Sequence, residues 1–397
     1  MDLYEESVRM HVQHKGKIAI AGKVPVNTRL DLSLAYTPGV AEPCRRIAKD
    51  KKLIYDYTFK GNTVAVVTDG SAVLGLGNIG PEAALPVMEG KALLMKEFGN
   101  LDAFPICLTT QKTEEIIQAV EWLATVFGGI NLEDISAPRC FEVEDALKEK
   151  LDIPVFHDDQ HGTAIVVMAA LVNACRLAGK ELGDLKVVVC GAGAAGIAIS
   201  RMLLCIGMDK KVCRPVGDII ICDSRGIVHN GRDDLNSYKK DMAKLTNRSR
   251  KTGGIGDALD GADVLIGVSA AGIVKPEMIA KMRKSPIILA MANPVPEIMP
   301  EDVRKARPDA IIGTGRSDYP NQVNNVLAFP GIFRGAFDAK ATRITDQMKL
   351  AAAYALADYV VKPARDNILP DPLDKKVALA VAKAVGRAAV DGGFVRA

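Results

Sequence analysis

Two hydrophobic periods alternate along this chain. Short continuous runs rich in β-branched residues, such as Thr63–Thr68 (TVAVVT), are separated by segments of helical length. Apolar runs of this kind bounded by turn residues read as strands buried on both faces, and the segments between them as crossover helices. In the first part of the chain, strands are expected at 63–68, 102–108, 130–135 and 153–156. Helices are expected at 41–49, from about Pro86 through Lys91, and at 113–127. An apolar helical run led by Thr163 then introduces a second series of strands at 185–190, 218–222, 262–268, 286–292 and 310–313. After Phe329-Pro330-Gly331 the pattern is helical, in MKLAAAYALADYVV and DKKVALAVAKAVGRAAV. The class is therefore α/β in two domains, 1–158 and 159–332, with helices of 333–397 returning to the first.

Composition narrows the partners. The 397 residues suffice for two domains, and with 48% apolar and 25% charged residues the chain is of the globular kind. The net charge is only +3, and the one dense basic run, 239–251, has no interleaved aromatics. It reads as a solvated helix face, so no nucleic-acid partner is expected. Eight cysteines are scattered without the close pairs that structural zinc needs, and are expected as reduced core thiols of a cytoplasmic protein. The N-terminal segment has no apolar h-region, and no apolar run is expected to reach membrane-spanning length.

The densest chemistry lies in PVFHDDQHGTA, where Asp158 and Asp159 follow a strand directly. Buried unpaired carboxylates cost several kcal/mol, so two at a strand-to-helix junction make sense beside a cation. With Glu133 and Asp134 in the loop GGINLEDISAP, they suggest a hard divalent ion, Mg²⁺ or Mn²⁺. His157 and His161 have zinc-like spacing, but that spacing straddles the turn, and they read as supporting or structural groups. GAGAAG follows a strong strand and opens a helix, as in a Rossmann-like doubly wound domain. Gly191 allows the tight turn, Gly193 the approach of a pyrophosphate and Gly196 close helix packing, while Ala194 and Ala195 open the helix whose N–H groups face the phosphates. Asp223, at a spacing longer than the usual ~20 residues, would accept hydrogen bonds from the adenosine ribose. An acid there favours NAD, although Ser224 and Arg225 could hold the 2′-phosphate of NADP. Tyr36, in a Thr-Pro-Gly turn, and Lys91, among small and apolar residues, are either acid–base groups or ordinary surface and packing residues. A partly desolvated lysine can fall to ~7–8 and act as a base. Asn293 and the pair Asn324-Asn325 lie where an open sheet presents loops to its ligand, and either bind a carboxylate or carboxamide or cap their loops.

YTPGVAEPC, VVTDGSAVLGLGNIGP, MEGKALL, NLEDISAP, FHDDQHGTA, CGAGAAG, MANPVPEI and TGRSDYPNQVNNVLAFPG occur in the order seen in malic enzymes. Over nearly its whole length the chain resembles their short bacterial-type form. The resemblance implies oxidative decarboxylation of L-malate to pyruvate and CO₂ with reduction of NAD(P)⁺. It makes 1–158 the substrate and metal domain, with an N-terminal dimerisation segment, and 159–332 the NAD(P)-binding domain. By the same resemblance Lys91 is the general base, Tyr36 the general acid, and Glu133, Asp134 and Asp159 the metal ligands, with Asp158 beside the base. Asn293 and Asn325 fall on substrate contacts and Asn324 nearer the cofactor. Short-form members are homodimers in which the tyrosine segment can cross the interface. One departure is Ala72, where the long eukaryotic form has an arginine. An amino-acid dehydrogenase of related architecture would leave the acidic cluster without a use, and a non-catalytic nucleotide binder would leave the acid–base positions without one.

Overall fold

The β-branched runs pair into two sheets. Thr63–Thr68 (β1), Asp102–Cys107 (β2), Gly129–Leu132 (β3) and Val155–His157 (β4) form a wholly parallel sheet in the order β2-β1-β3-β4. The second sheet contains Lys186–Cys190 (β5), Asp218–Asp223 (β6), Gly226–Ile227 (β7), Val264–Gly267 (β8), Ile287–Ala290 (β9) and Ile311–Thr314 (β10). Its order is β10-β9-β8-β5-β6-β7, parallel except for the short β7. The chain enters at β5, moves outward to β6 and returns to β8 on the other side, so the strand order reverses at β5 and opens a crevice there. The structure, a computed structural model, describes residues 2–73 and 75–396; Leu74, in the glycine-rich loop expected after β1, lies outside them.

The helix Asp158–Ala178 joins the two sheets. It was expected to begin near Thr163, but it starts five residues earlier, directly on the acid pair. His157 is its extended N-cap, and Asp158 and Asp159 fall in the first turn, where the helix dipole favours negative charge. Over its 21 residues an 18-residue window reaches mean hydropathy 1.4, which corrects the expectation that no run attains spanning length. Of that window 72% is buried, against Ala194–Leu203 and Asp346–Tyr359 among others, so it is a core helix. Asn173 interrupts its apolar surface, and its side-chain amide donates to the carbonyls of Ala357 (2.9 Å) and Ile368 (3.0 Å).

Helix ends depart from expectation for local reasons. The lysine-bearing helix runs Pro81–Gly99, so Pro81 is its first-turn proline and Pro86 lies inside. The helix from Thr113 stops at Leu123 rather than 127, where the buried Lys60 ammonium donates to the carbonyls of Ala124 and Thr125. A cation there satisfies terminal carbonyls that no further helical turn could serve. Lys375–Asp391 packs on Phe329–Asp338 and on Asp346–Tyr359, and also touches the lysine helix. Cys205 and Cys213 are joined, with Cα atoms 5.8 Å apart, which corrects the expectation of thiols throughout. They flank the loop that lengthens the spacing from Gly191 to Asp223, and its turns bring together cysteines eight residues apart. The N-terminal helices Leu3–His14, Arg29–Ala35 and Ala41–Lys49 bury none of their residues.

Candidate active site

The segments that follow β3 and β4 at the carboxyl end of the first sheet converge on Lys91. The loop after β1 is tied to the loop after β3: the Ala72 amide donates to the Asp134 carbonyl (2.9 Å) and the Ser136 amide to Ser71 Oγ (2.9 Å). Arg139 locks the same corner through Asp69 (2.7 Å) and Ser71 Oγ (2.9 Å). Asp134 is consequently held at φ 53°, a left-handed conformation that non-glycine residues rarely adopt, and its amide donates to Asp159 Oδ2 (2.7 Å). The structure thus brings Glu133, Asp134 and Asp159 together, with one carboxylate oxygen from each lying within 4.8 Å of the others.

Lys91 reaches this cluster from the middle of its helix. Its Nζ lies 2.6 Å from Asp158 Oδ2, 2.9 Å from Glu133 Oε1 and 4.3 Å from the centre of the Phe329 ring. Glu133 is aimed by Asn131, a polar residue inside β3 whose amide donates to Oε2 (2.8 Å). Gly162, one turn past Asp158, is required by close approach: a Cβ there would stand 1.9 Å from Asp158 Oδ1 and 3.1 Å from the Asn325 Cβ. Asn325 is thereby seated against the first turn of the core helix, at the start of a short 3₁₀ turn that Asn324 caps through the Val326 amide (3.0 Å).

Four carboxylates and one ammonium leave this centre net negative. Burial, reinforced by neighbouring acids and opposed by the pull of Lys91, pushes Asp158 up to about 7 and Asp159 up to about 6. Burial would also depress Lys91, but Asp158, Glu133 and Asp159 outweigh it and hold the ammonium above its ordinary range. The lowered lysine expected from desolvation is therefore not found. A cluster of hard oxygen donors with unbalanced negative charge fits a divalent cation of the Mg²⁺ or Mn²⁺ kind.

The two histidines stand behind the cluster. His157 is fully buried, its Nδ1 3.8 Å from Asp159 Oδ2. His161 bonds Glu144 (2.8 Å), and burial pushes its imidazole down to about 3, leaving it neutral. Glu144 also accepts from the His157 amide (3.1 Å) and from Gln160 (3.2 Å), so it fixes the start of the core helix. No sequence signal marked Glu144, which sits in an ordinary amphipathic helix. Nor did any mark Glu297, buried among the second-sheet loops, where it accepts from the amides of Ser269 (2.7 Å) and Ala292 (3.1 Å).

In the second sheet the glycines behave as their positions require. Gly191 has φ 122°, and a Cβ at Gly196 would lie 1.8 Å from the Gly191 carbonyl. Gly193 faces open space and caps Ala194–Leu203 with no side chain, leaving the amides of Ala194 and Ala195 at an open helix end. Asn293 is exposed in the loop after β9. Asp223 ends β6 beside the exposed Ser224 and Arg225, and its carboxylate is held by Arg232 and Lys239. Lys239 is thus not merely part of a solvated basic face. Tyr36 is not brought to the cluster: it is 68% exposed on the N-terminal arm.

A doubly wound sheet with an open glycine turn, joined to a second parallel sheet that ends in a lysine–carboxylate centre, defines a two-domain dinucleotide-dependent oxidoreductase. The family model described as "Malic enzyme, N-terminal domain" matches residues 15–114, and "Malic enzyme, NAD binding domain" matches 160–390. The chain is 56% identical to the bifunctional malic/malolactic enzyme of Bacillus subtilis, over 100% of this chain and 95% of that protein. It is 47% identical to the NADP-dependent malic enzyme of Halomonas elongata, over 96% and 92%. The crystal structure of the NAD-dependent malic enzyme of Thermotoga maritima superposes with a TM-score of 0.90 at 50% identity, covering 96% of this chain and 98% of that one. The chain belongs to the malic enzyme family, whose reaction is the oxidative decarboxylation of malate.

Proposed function

We propose that this malic enzyme converts L-malate to pyruvate and CO₂ with a divalent cation held by Glu133, Asp134 and Asp159, and with Lys91 as its general base. The observation that carries the assignment is Lys91 Nζ at 2.6 Å from Asp158 and 2.9 Å from Glu133, beside three converging carboxylates. A divalent cation bound there supplies Lewis-acid polarisation of the substrate's hydroxyl and carbonyl oxygens, and offsets the negative field that keeps Lys91 protonated. Lys91, once neutral, takes the proton of the C2 hydroxyl while C2 gives its hydride to the dinucleotide. Loss of CO₂ from the resulting 2-keto acid leaves an enolate, and Tyr36 protonates its C3 carbon to give pyruvate. Asn293 and Asn325 orient the substrate carboxylates, and the open helix end after Gly193 receives the cofactor phosphates.

Tyr36 acts from a second copy of the chain. The arm that carries it exposes Leu30 and Leu34 on one side of its helix and Leu32 and Tyr36 on another, and buries none of its residues, the kind of apolar exposure that marks a partner contact. The functional unit is thus a homodimer with each site completed across the interface. Initial rates of cofactor reduction with L-malate and Mn²⁺, with pyruvate assayed in parallel, test the assignment. Full activity after exhaustive EDTA treatment would refute the cation site.

A further inference from the structure

A cavity of about 580 Å³ lies between helices that flank the two sheets. That is the size of small-molecule sites, which combine apolar walls with a few placed polar groups. Its walls include none of Lys91, Glu133, Asp134, Asp158, Asp159, Gly193 or Asp223, so it is separate from the acid cluster and from the glycine turn. The helix Arg139–Lys150 beside the first sheet contributes Glu144, Asp145 and Lys148, and the helix Ala194–Leu203 beside the second contributes Arg201. The C-terminal part of the chain adds Arg343, Asp346 and Lys349. Phe141 and Tyr238, with ring centres 4.4 Å apart, close the wall between the two sides.

The charges in this cavity do not cancel. Lys148 pairs with Glu144 (2.7 Å) and Lys349 with Asp346 (2.5 Å), which leaves Arg201 and Arg343 with one carboxylate, Asp145. Among the described residues neither guanidinium has an ion pair or a hydrogen bond, and Arg343 lies 5.6 Å from the centre of the Phe394 ring. A planar guanidinium matches phosphate through two parallel hydrogen bonds. Lys349 is only 5% exposed and divides its donors between Asp346 and His161 (3.4 Å), keeping one N–H. The remaining wall is apolar, with Met202 and Met208 beside Phe394, and an inorganic anion would leave that surface uncovered. We propose that the cavity is an effector site for a phosphate monoester with an aromatic body. Its phosphate is held by Arg201 and Arg343, and its body lies against Met202, Met208 and Phe394. Glu144 carries the effect to the active site, because it also accepts from the His157 amide and from Gln160 at the start of the core helix. A ligand that draws Lys148 away from Glu144 loosens the first turn that presents Asp158 and Asp159, so occupancy inhibits.

The test is a calorimetric titration of the full chain with α-naphthyl phosphate, in excess NAD⁺ and NADP⁺ so that the cofactor crevice is already filled. One probe per chain should bind, at least about tenfold more tightly than inorganic phosphate or α-naphthol, and more weakly as salt rises. The double variant Arg201→Gln/Arg343→Gln, at exposed positions, should lose at least about tenfold in affinity and keep its basal turnover of malate. Saturating probe should at least halve kcat/KM for malate in wild type, and the same concentration should leave the double variant unchanged. Failure of wild type to bind overturns the inference, as does equal binding of inorganic phosphate or unchanged affinity in the double variant. Wild-type rates that do not respond to bound probe overturn it as well. The titrations need neither malate nor metal, so their outcome is independent of the reaction proposed above.

Discussion

Replacing Lys91 by alanine separates its electrostatic role from its chemical one. The ammonium is buried and is the cation at hydrogen-bond distance from Asp158, 0% exposed, and Glu133, 3% exposed. Truncation leaves both carboxylates without a counter-charge, and breaking a buried pair in this way costs about 3–5 kcal/mol. That cost depends on pH in a definite direction. Asp158 sits at about 7 with Lys91 present and rises further without it, so above neutrality the folded variant retains a proton that the unfolded chain has already released. Stability then falls by up to about 1.4 kcal/mol per pH unit for each such carboxyl, and it continues falling above pH ~7 where wild type levels off. Urea unfolding of the metal-free chains, followed from about pH 6 to about pH 8, should show the gap between variant and wild type widening with pH. Mn²⁺ should stabilise the variant at least as strongly as wild type, because it restores the missing positive charge, while malate oxidation stays lost. A gap below about 1 kcal/mol at pH ~8 without metal, or one that does not change with pH, would show that Lys91 does not neutralise these acids.

Further expectations test the cluster, the helix start and the second copy. Mn²⁺ affinity measured by calorimetry should drop as pH falls through about 6, with proton release on binding that varies with the buffer, because Asp159 and its neighbours must ionise to coordinate; a flat affinity would exclude these carboxylates as ligands. Gly162→Ala should push Asp158 off Lys91, costing about 1–3 kcal/mol in unfolding experiments and most of the activity; a stable, fully active variant would mean that the close approach is dispensable. Tyr36→Phe should impair pyruvate formation more than malate oxidation. Co-expressed with Lys91→Ala chains it should regain about a quarter of wild-type turnover, since half of the dimers would be mixed and each mixed dimer would hold one intact site. No regain in verified mixed dimers would place Tyr36 within its own chain's site.

The strands were legible because parallel sheets covered on both faces demand uninterrupted apolar runs: TVAVVT became β1 at its expected limits. The glycine motif was legible because each glycine has its own steric reason, and the acid cluster because such residues are poorly placed at a strand end unless a charge meets them. Helix starts were harder. Pro81 and Pro86 can each open a helix, and only the tertiary setting of Pro81 decides between them. Asp158 and Asp159 looked like a loop because acids interrupt an apolar pattern, yet a helix dipole welcomes them in the first turn. Pairwise chemistry between distant segments was not visible at all. Neither Lys91 facing Asp158 nor Arg232 facing Asp223 leaves a local trace, and the first reverses the protonation state expected of Lys91 from its neighbours in sequence alone.

The core helix Asp158–Ala178 also constrains how the molecule comes into being. Among the segments that cover it is Asp346–Tyr359, and Lys375–Asp391 packs on that segment in turn, so part of its cover is made more than 160 residues after it. At a translation rate of roughly 5–20 residues per second, that apolar stretch waits many seconds without its full cover while the second sheet emerges from the ribosome. During this interval its surface resembles a membrane-inserting segment, and Asn173, whose two hydrogen bonds go to Ala357 and Ile368, is still without those partners. A polar amide at that point disfavours entry into lipid, where an unsatisfied group costs several kcal/mol, and becomes satisfied only when the C-terminal segments arrive. Native pairing of Asn173 therefore depends on synthesis reaching Ala357 and Ile368, and truncation before residue 346 should yield a product retained by chaperones rather than a smaller folded domain.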